Sequence, residues 1–142
     1  MKELHLNNAH WEVMHRHVAA CAPQEACGLL AGLGNTVDEV MTITNQLRSQ
    51  TRFRMEPSEQ IRAFAAIEQK GLELIGIFHS HPAIAEALSG TSTVPSTTDI
   101  AEAAYPVAHV VWSRPQGLWM ALAYWIESGA VADVVIKIDH MK

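Results

Sequence analysis

The apolar run LELIGIF, residues 72–78, leads directly into His79-Ser80-His81-Pro82. A short run rich in Leu and Ile, bounded by Gly71 and Pro82, reads as a buried β-strand. Side chains two apart on a strand share a face. The strand therefore sets His79 and His81 side by side and turns Ser80 to the other face. Two neutral imidazoles so placed form a chelating pair for a borderline metal such as zinc. A catalytic zinc site typically takes three protein ligands and leaves a position open for water, so a further ligand must come from elsewhere in the chain.

The surrounding pattern predicts the frame. Trp11, Met14, Val18 and Cys21 form one apolar stripe on a helix over residues 7–20, which Asn7 or Asn8 can cap and Pro23 stops. ACGLLAG (26–32) reads as a buried strand ending in a Gly-rich turn, and DEVMTITN (38–45) as the next strand, with Val40, Thr42 and Thr44 on one face. RFRM (52–55) suggests another short strand. EPSEQIRAFAAIEQKG (56–71) predicts a helix with Pro57 in its first turn, Gly71 as its stop, and Ile61, Phe64, Ala65 and Glu68 sharing a face near Ile67. Ser96 opens a third helix that Pro106 ends. VAHVVW, LWMALAYWI and VADVVIKI supply the last strands, the first two joined by a turn at SRPQG. Helices interrupt strands throughout, so the expected class is α/β or α+β with a mixed sheet, in one domain over residues 1–142.

Three other residues complete a candidate site. Asp99, in PSTTD, falls in the first turn of the third helix, where the helix dipole favours a carboxylate that projects past the helix end. Zinc lowers the pKa of its water, but hydrolysing an amide also needs a group to move the proton to the leaving nitrogen. Glu25 is the candidate, an acid at the start of a strongly apolar strand. Ser96 caps the third helix in this reading, and Ser-x-x-Asp alone also reads as a capping box.

PQEACGLLAG, GIFHSHP and PSTTD, in this order, resemble the JAMM/MPN+ zinc metalloproteases, whose pattern is a glutamate near an early strand, His-x-His-Pro, then Ser-x-x-Asp. The resemblance covers about residues 7–112, and small stand-alone prokaryotic members are the nearest in kind. It implies a curved mixed sheet packed between helices. It implies one zinc ion held by His79, His81 and Asp99, with Glu25 as general acid/base and Ser96 donating to the substrate carbonyl or its oxyanion. It further implies a peptidase or isopeptidase that cuts after the C-terminal tail of a ubiquitin-like or sulfur-carrier protein, the tail lying along an open edge strand near the site. This chain departs from the pattern in the fourteen residues from Pro82 to Pro95, a longer span than the family usually has there. Residues 83–94 are expected to form a flap or specificity loop.

Other readings are weaker. The 10 basic and 15 acidic residues, net −5, argue against nucleic-acid binding. No apolar run suits a membrane span and no signal-peptide core precedes the first helix, so a cytoplasmic protein is expected. Cys21 and Cys27 read as free thiols and Cys27 as a small core residue. His5, His10, His15, His17, His109 and His140 read as ordinary histidines, Trp112, Trp119 and Trp125 as packing residues, and Arg48, Arg52 and Arg54 as a solvated basic patch with a weak alternative as contacts to a partner's carboxylates. His-Glu-x-x-His, Pro-Cys-x-x-Cys and phosphate-loop motifs are missing. The alternatives to a peptidase are a catalytically inactive MPN-type interaction module and a zinc hydrolase of a small-molecule amide. The oligomeric state is not encoded in any motif.

Overall fold

The computed structural model describes residues 1–83 and 93–139. Most of the segment expected to form a flap, residues 83–94, lies outside them, as does His140. The chain begins with a strand that the periodicity reading missed, β1 (Glu3–Asn7), in which Leu4 and Leu6 alternate inward and are fully buried. Asn7 then caps α1 (Asn8–Cys21): its side chain takes the His10 N–H, while the His10 ring takes its own N–H. The buried positions of α1 are Met14 and Val18, from the expected stripe.

Six more strands follow: β2 (Cys27–Leu33), β3 (Thr36–Ile43), β4 (Glu73–His81), β5 (Val107–Ser113), β6 (Met120–Glu127) and β7 (Ala130–Asp139). They order as β1-β3-β2-β4-β5-β6-β7, and β7 pairs back onto β1. The expected curved mixed sheet is thus curved to closure. β1 runs parallel to β3 and β7, and β4 parallel to β5, with the remaining pairs antiparallel. One apolar cluster draws residues from all seven strands, among them Leu4, Leu30, Val37, Phe78, Trp112, Ala123 and Val134, and therefore fills the inside. Met14 and Val18 of α1 join it. The β1–β3 junction is a single residue pair, His5 with Thr36, and α1 lies against both strands there.

The opposite face of β2 and β4 carries Cys27, Leu29, Ala31 and Ile77, which pack under α2 (Pro57–Gln69). The helix turns Ala63 and Ile67 to the sheet and leaves Ile61 70% exposed, so the expected Ile61–Phe64–Ala65–Glu68 face is wrong in phase. Small Ala63, one turn before Ile67, fits close to the strands. RFRM forms no strand beyond one bridge, Asn45 to Met55, because the Asn45 side chain takes the Arg52 carbonyl and the Arg54 N–H that a ladder would use. In β3 (Thr36–Ile43) the well-buried residues are Val37 and Ile43, and Thr44 lies past the strand. The third helix, α3 (Thr97–Ala101), stops well before Pro106. Glu102 ends it with φ −97° and ψ 4°, and its carboxylate meets Arg52 at 2.8 Å.

β4 lies between β2 and β5, so it offers no free edge for the expected strand addition. Its inner face is tightly filled. Gly28 of β2 pairs with Phe78, and a Cβ there would stand 2.2 Å from the Phe78 ring and 2.5 Å from the Met41 carbonyl oxygen. Gly28→Ala is expected to destabilise the fold by about 1–3 kcal/mol, the range for overpacking, and to disturb the strand one residue before His79. Denaturant unfolding of the variant checks this.

Candidate active site

The last turn of sequence in β4 places the histidines where the strand reading put them. His79 pairs with Cys27 of β2 and Val111 of β5, and His81 with Ser113, so both rings project on the face opposite the Phe78 core. His79 is 1% exposed. Phe53 stacks on its ring, 4.8 Å between centroids and 22° between planes, and Nδ1 has no hydrogen-bond partner among the described residues.

Asp99 reaches the pair from α3. Its Oδ2 lies 2.9 Å from His79 Nε2 and 3.0 Å from His81 Nε2, and the two Nε2 atoms are 3.1 Å apart. These atoms form the one cluster of metal-ligating side chains among the described residues. Burial alone would raise the Asp99 pKa and lower that of His79. The contacts from His79 and His81 override it for Asp99, whose carboxyl is held far below the usual range, while burial prevails for His79. A neutral imidazole has one N–H. Whichever tautomers are chosen, protons cannot satisfy all three contacts of this triangle, and one is left between two lone pairs or two hydrogens. A cation satisfies all three. Two imidazole nitrogens and a carboxylate oxygen are a donor set suited to zinc, which binds such atoms at about 2.0–2.2 Å.

The capping reading of Ser96 and Asp99 also holds. Ser96 Oγ accepts the Asp99 N–H at 3.0 Å, and Asp99 Oδ2 accepts the Ser96 N–H at 2.9 Å. One carboxylate oxygen thus serves the helix start and the histidines together. Because Ser96 uses a lone pair here, its O–H remains a donor, and the residue is exposed.

Glu25 lies just ahead of β2 and is 3% exposed. Ser80, on the inner face, holds this approach: its Oγ accepts the Ala26 N–H at 2.8 Å, and its N–H donates to the Ala26 carbonyl at 3.1 Å. The Glu25 N–H donates to the Ser49 carbonyl, and the Glu25 carbonyl accepts from Asn45 Nδ2 at 3.0 Å. Glu25 Oε1 has no hydrogen-bond partner among the described residues. Burial pushes the carboxyl up to about 8, His81 draws it down and Asp99 adds to the rise. The structure therefore gathers Glu25, His79, His81 and Asp99, with Ser96 at the rim.

Sequence reasoning missed Asn45, which is buried and spends its whole amide: Nδ2 on the Glu25 and Arg52 carbonyls, Oδ1 on the Leu47 and Arg54 N–H groups. It fastens the backbone of Glu25 to the 47–54 loop. An Asn after a strand signals only a turn, so nothing local marks this role. Cys27, beside His79, has its thiol pushed up to about 12 by burial and is a core residue rather than a thiolate ligand. Ser80→Ala would orphan the buried Ala26 N–H at a cost of about 1–3 kcal/mol. It is expected to lower the melting temperature and, by loosening the approach of Glu25, to reduce any activity of the site more than the stability loss alone predicts, as a joint melting and turnover measurement would read.

Comparison with known proteins gives a consistent picture. The family model described as prokaryotic homologs of the JAB domain matches residues 7–129. A desampylase of Pyrococcus furiosus is 42% identical over 73 residues, 51% of this chain and 52% of that protein. A CysO-cysteine peptidase of Mycobacterium tuberculosis is 32% identical over 129 residues, 88% of this chain and 84% of the relative. The match therefore spans about half the length of the first relative and most of the second. The solution structure of a Desulfitobacterium hafniense protein superposes with a TM-score of 0.80 at 27% identity, covering 96% of this chain and 93% of that one.

Proposed function

The chain belongs to the prokaryotic homologues of the JAB domain, and from that premise we propose that it is a zinc-dependent peptidase or isopeptidase of the JAMM/MPN+ kind. Its substrate would be a ubiquitin-like or sulfur-carrier protein, cut after the C-terminal tail. The relatives named desampylase, CysO-cysteine peptidase and probable TtuB-protein conjugate cleaving protease support that substrate class. The single observation that carries the reading is the triangle of His79 Nε2, His81 Nε2 and Asp99 Oδ2, whose sides of 2.9–3.1 Å suit three ligand atoms around a shared cation.

His79, His81 and Asp99 would hold one zinc ion per chain, in one catalytic domain over residues 1–142. When bound, zinc supplies Lewis acidity and makes water a nucleophile near neutral pH. Glu25 takes the proton of the attacking water and returns it to the leaving nitrogen. With zinc held by His79, His81 and Asp99, the Glu25 carboxyl would be drawn towards its charged form, against the burial that pushes it up to about 8. Ser96 donates its free O–H to the carbonyl oxygen as negative charge develops there. Phe53 shields His79 from water on the flank it covers.

The test is intact-mass analysis of ubiquitin-like and sulfur-carrier fusions carrying C-terminal extensions, incubated with the zinc-loaded protein. Release of the extension, blocked by a chelator and restored by zinc, is expected. Binding of the carrier without any cleavage would instead mark an interaction module, and cleavage of small amides alone would mark a different hydrolase.

A further inference from the structure

The two histidines of the ligand triangle are not held alike. His79 sits within β4, paired with Cys27 of β2 and Val111 of β5 and stacked on Phe53. His81 is the last residue of β4. Pairing with β2 stops at His79, so among the described residues only Ser113 of β5 pairs with His81. Strand ends open more readily than strand centres. A ligand at such an end keeps its ring in place only if the backbone just past it is fixed.

Pro82, the next residue, is buried and has no N–H, so its carbonyl is its single backbone hydrogen-bonding group. That carbonyl accepts from Arg114 Nε at 2.6 Å, a contact between residues 32 apart in the chain. Arg114 follows Ser113, so the bond ties β4 to β5 one step beyond the His81–Ser113 pair. Pro115 comes next on that side and has no N–H to offer.

The guanidinium is itself held. In the turn expected at SRPQG, the Gly117 N–H donates to the Arg114 carbonyl at 3.0 Å, with Gly117 at a φ of 90°. The turn returns Trp119 to Arg114, whose guanidinium carbon lies 5.2 Å from the ring centroid, within cation–π range. Trp119 in turn packs against the interior cluster. Contacts therefore run without a break from the core through Trp119 and Arg114 to the residue that follows His81.

We propose that Arg114 is a positioning residue for the candidate metal site. Through the Pro82 carbonyl it holds the end of β4, so that His81 Nε2 stands beside His79 and Asp99 before any ion arrives. Ordering a ligand in advance removes that cost from binding. The consequence for zinc rests on the zinc reading of the triangle, whereas the hold on His81 does not.

Three variants separate this role from general support of the fold. Arg114→Met keeps an unbranched stem over Trp119 and deletes the donor. Arg114→Lys keeps a cationic donor. Val134→Ala removes core volume on β7, which pairs with neither β4 nor β5. Zinc affinity is measured by competition with a chromophoric chelator, well below each variant's melting temperature. Arg114→Met is expected to lose about 10- to 100-fold in affinity, the usual cost of removing a ligand's support. Arg114→Lys should recover part of that loss, and Val134→Ala should keep wild-type affinity while melting lower. In metal-free protein, the ¹⁵N ring signals of His81 should shift or broaden in Arg114→Met. Undiminished affinity in Arg114→Met, an equal loss in Val134→Ala, or His81 signals that Arg114→Met leaves unmoved would overturn the assignment. A wild type that binds no zinc, while its His81 signals still depend on Arg114, would overturn the zinc reading and leave the hold on His81 standing.

Discussion

Glu25→Gln is expected to keep its zinc and to lose about 10²–10⁴-fold in turnover, the usual contribution of a positioned acid–base group. The amide is nearly the same shape as the carboxyl, so the Ser49 and Asn45 contacts to the Glu25 backbone remain. What disappears is the proton carrier. Turnover on a carrier fusion, with zinc content measured on the same sample, checks the expectation, and unchanged turnover would remove Glu25 from the mechanism. A second consequence needs no substrate. The metal-free native state holds the Glu25 proton up to about 8, whereas the unfolded chain releases it near about 4.3. The raised pKa contributes stability that is full below the unfolded value and is lost as pH rises through that window. His79 and His109, whose lowered pKa values act with the opposite sign below about pH 6.5, are common to wild type and variant. The stability difference between metal-free wild type and Glu25→Gln is therefore expected to shift against the wild type as pH rises from about 4.5 to 8, by an amount on the order of a few kcal/mol at most.

Loss of the metal is the second large effect. Asp99→Ala removes one of the three candidate ligands and, with it, the oxygen that accepts the Ser96 N–H. Activity on a carrier fusion is expected to fall to background, as it should for wild type under a chelator. The two cases differ in reversibility: added zinc should rescue the chelated wild type and not the variant. Thermal melts provide a readout that does not depend on turnover. A ligand that binds only the native state at about 100 times its Kd adds about 2.7 kcal/mol, so zinc should raise the melting temperature of wild type and leave Asp99→Ala unmoved. A zinc-independent melt in wild type would count against the ligand set itself.

Much of this site was legible before any coordinates. His79 and His81 announce themselves because a strand's two-residue period places them on one face, and that period is local. Ser96 and Asp99 could be read as a cap because that pattern is local too, and in the structure the capping carboxylate of Asp99 also faces His79. Glu25 stood out as an acid beside a buried strand, but the contact that sets its place, Ala26 to Ser80, joins residues 54 apart in the chain. No local pattern encodes such a pairing. The Asn45 knot was hidden for the same reason, since it depends on what tertiary packing puts around an ordinary-looking side chain.

The misreadings of the frame have the same origin. ELHLN alternates clearly, yet a five-residue segment at the chain start declares itself a strand only when β7 and β3 are there to pair with it. In α2, Ile61 and Ile67 are equally apolar in sequence, and only the approach of the sheet at Ala63 decides which is covered. RFRM (52–55) suggests a short strand in sequence because nothing there marks Asn45 as a competitor for its backbone groups.

The helix carrying Asp99 is five residues long, far too short to persist without outside support. The carboxylate that opens it is the same one that faces the histidines. Occupancy of the site should therefore be audible in the backbone: the amide hydrogens of Ser96 and Asp99 should exchange with solvent more slowly in zinc-loaded protein than in stripped protein. These two amides would be a built-in gauge of metal loading.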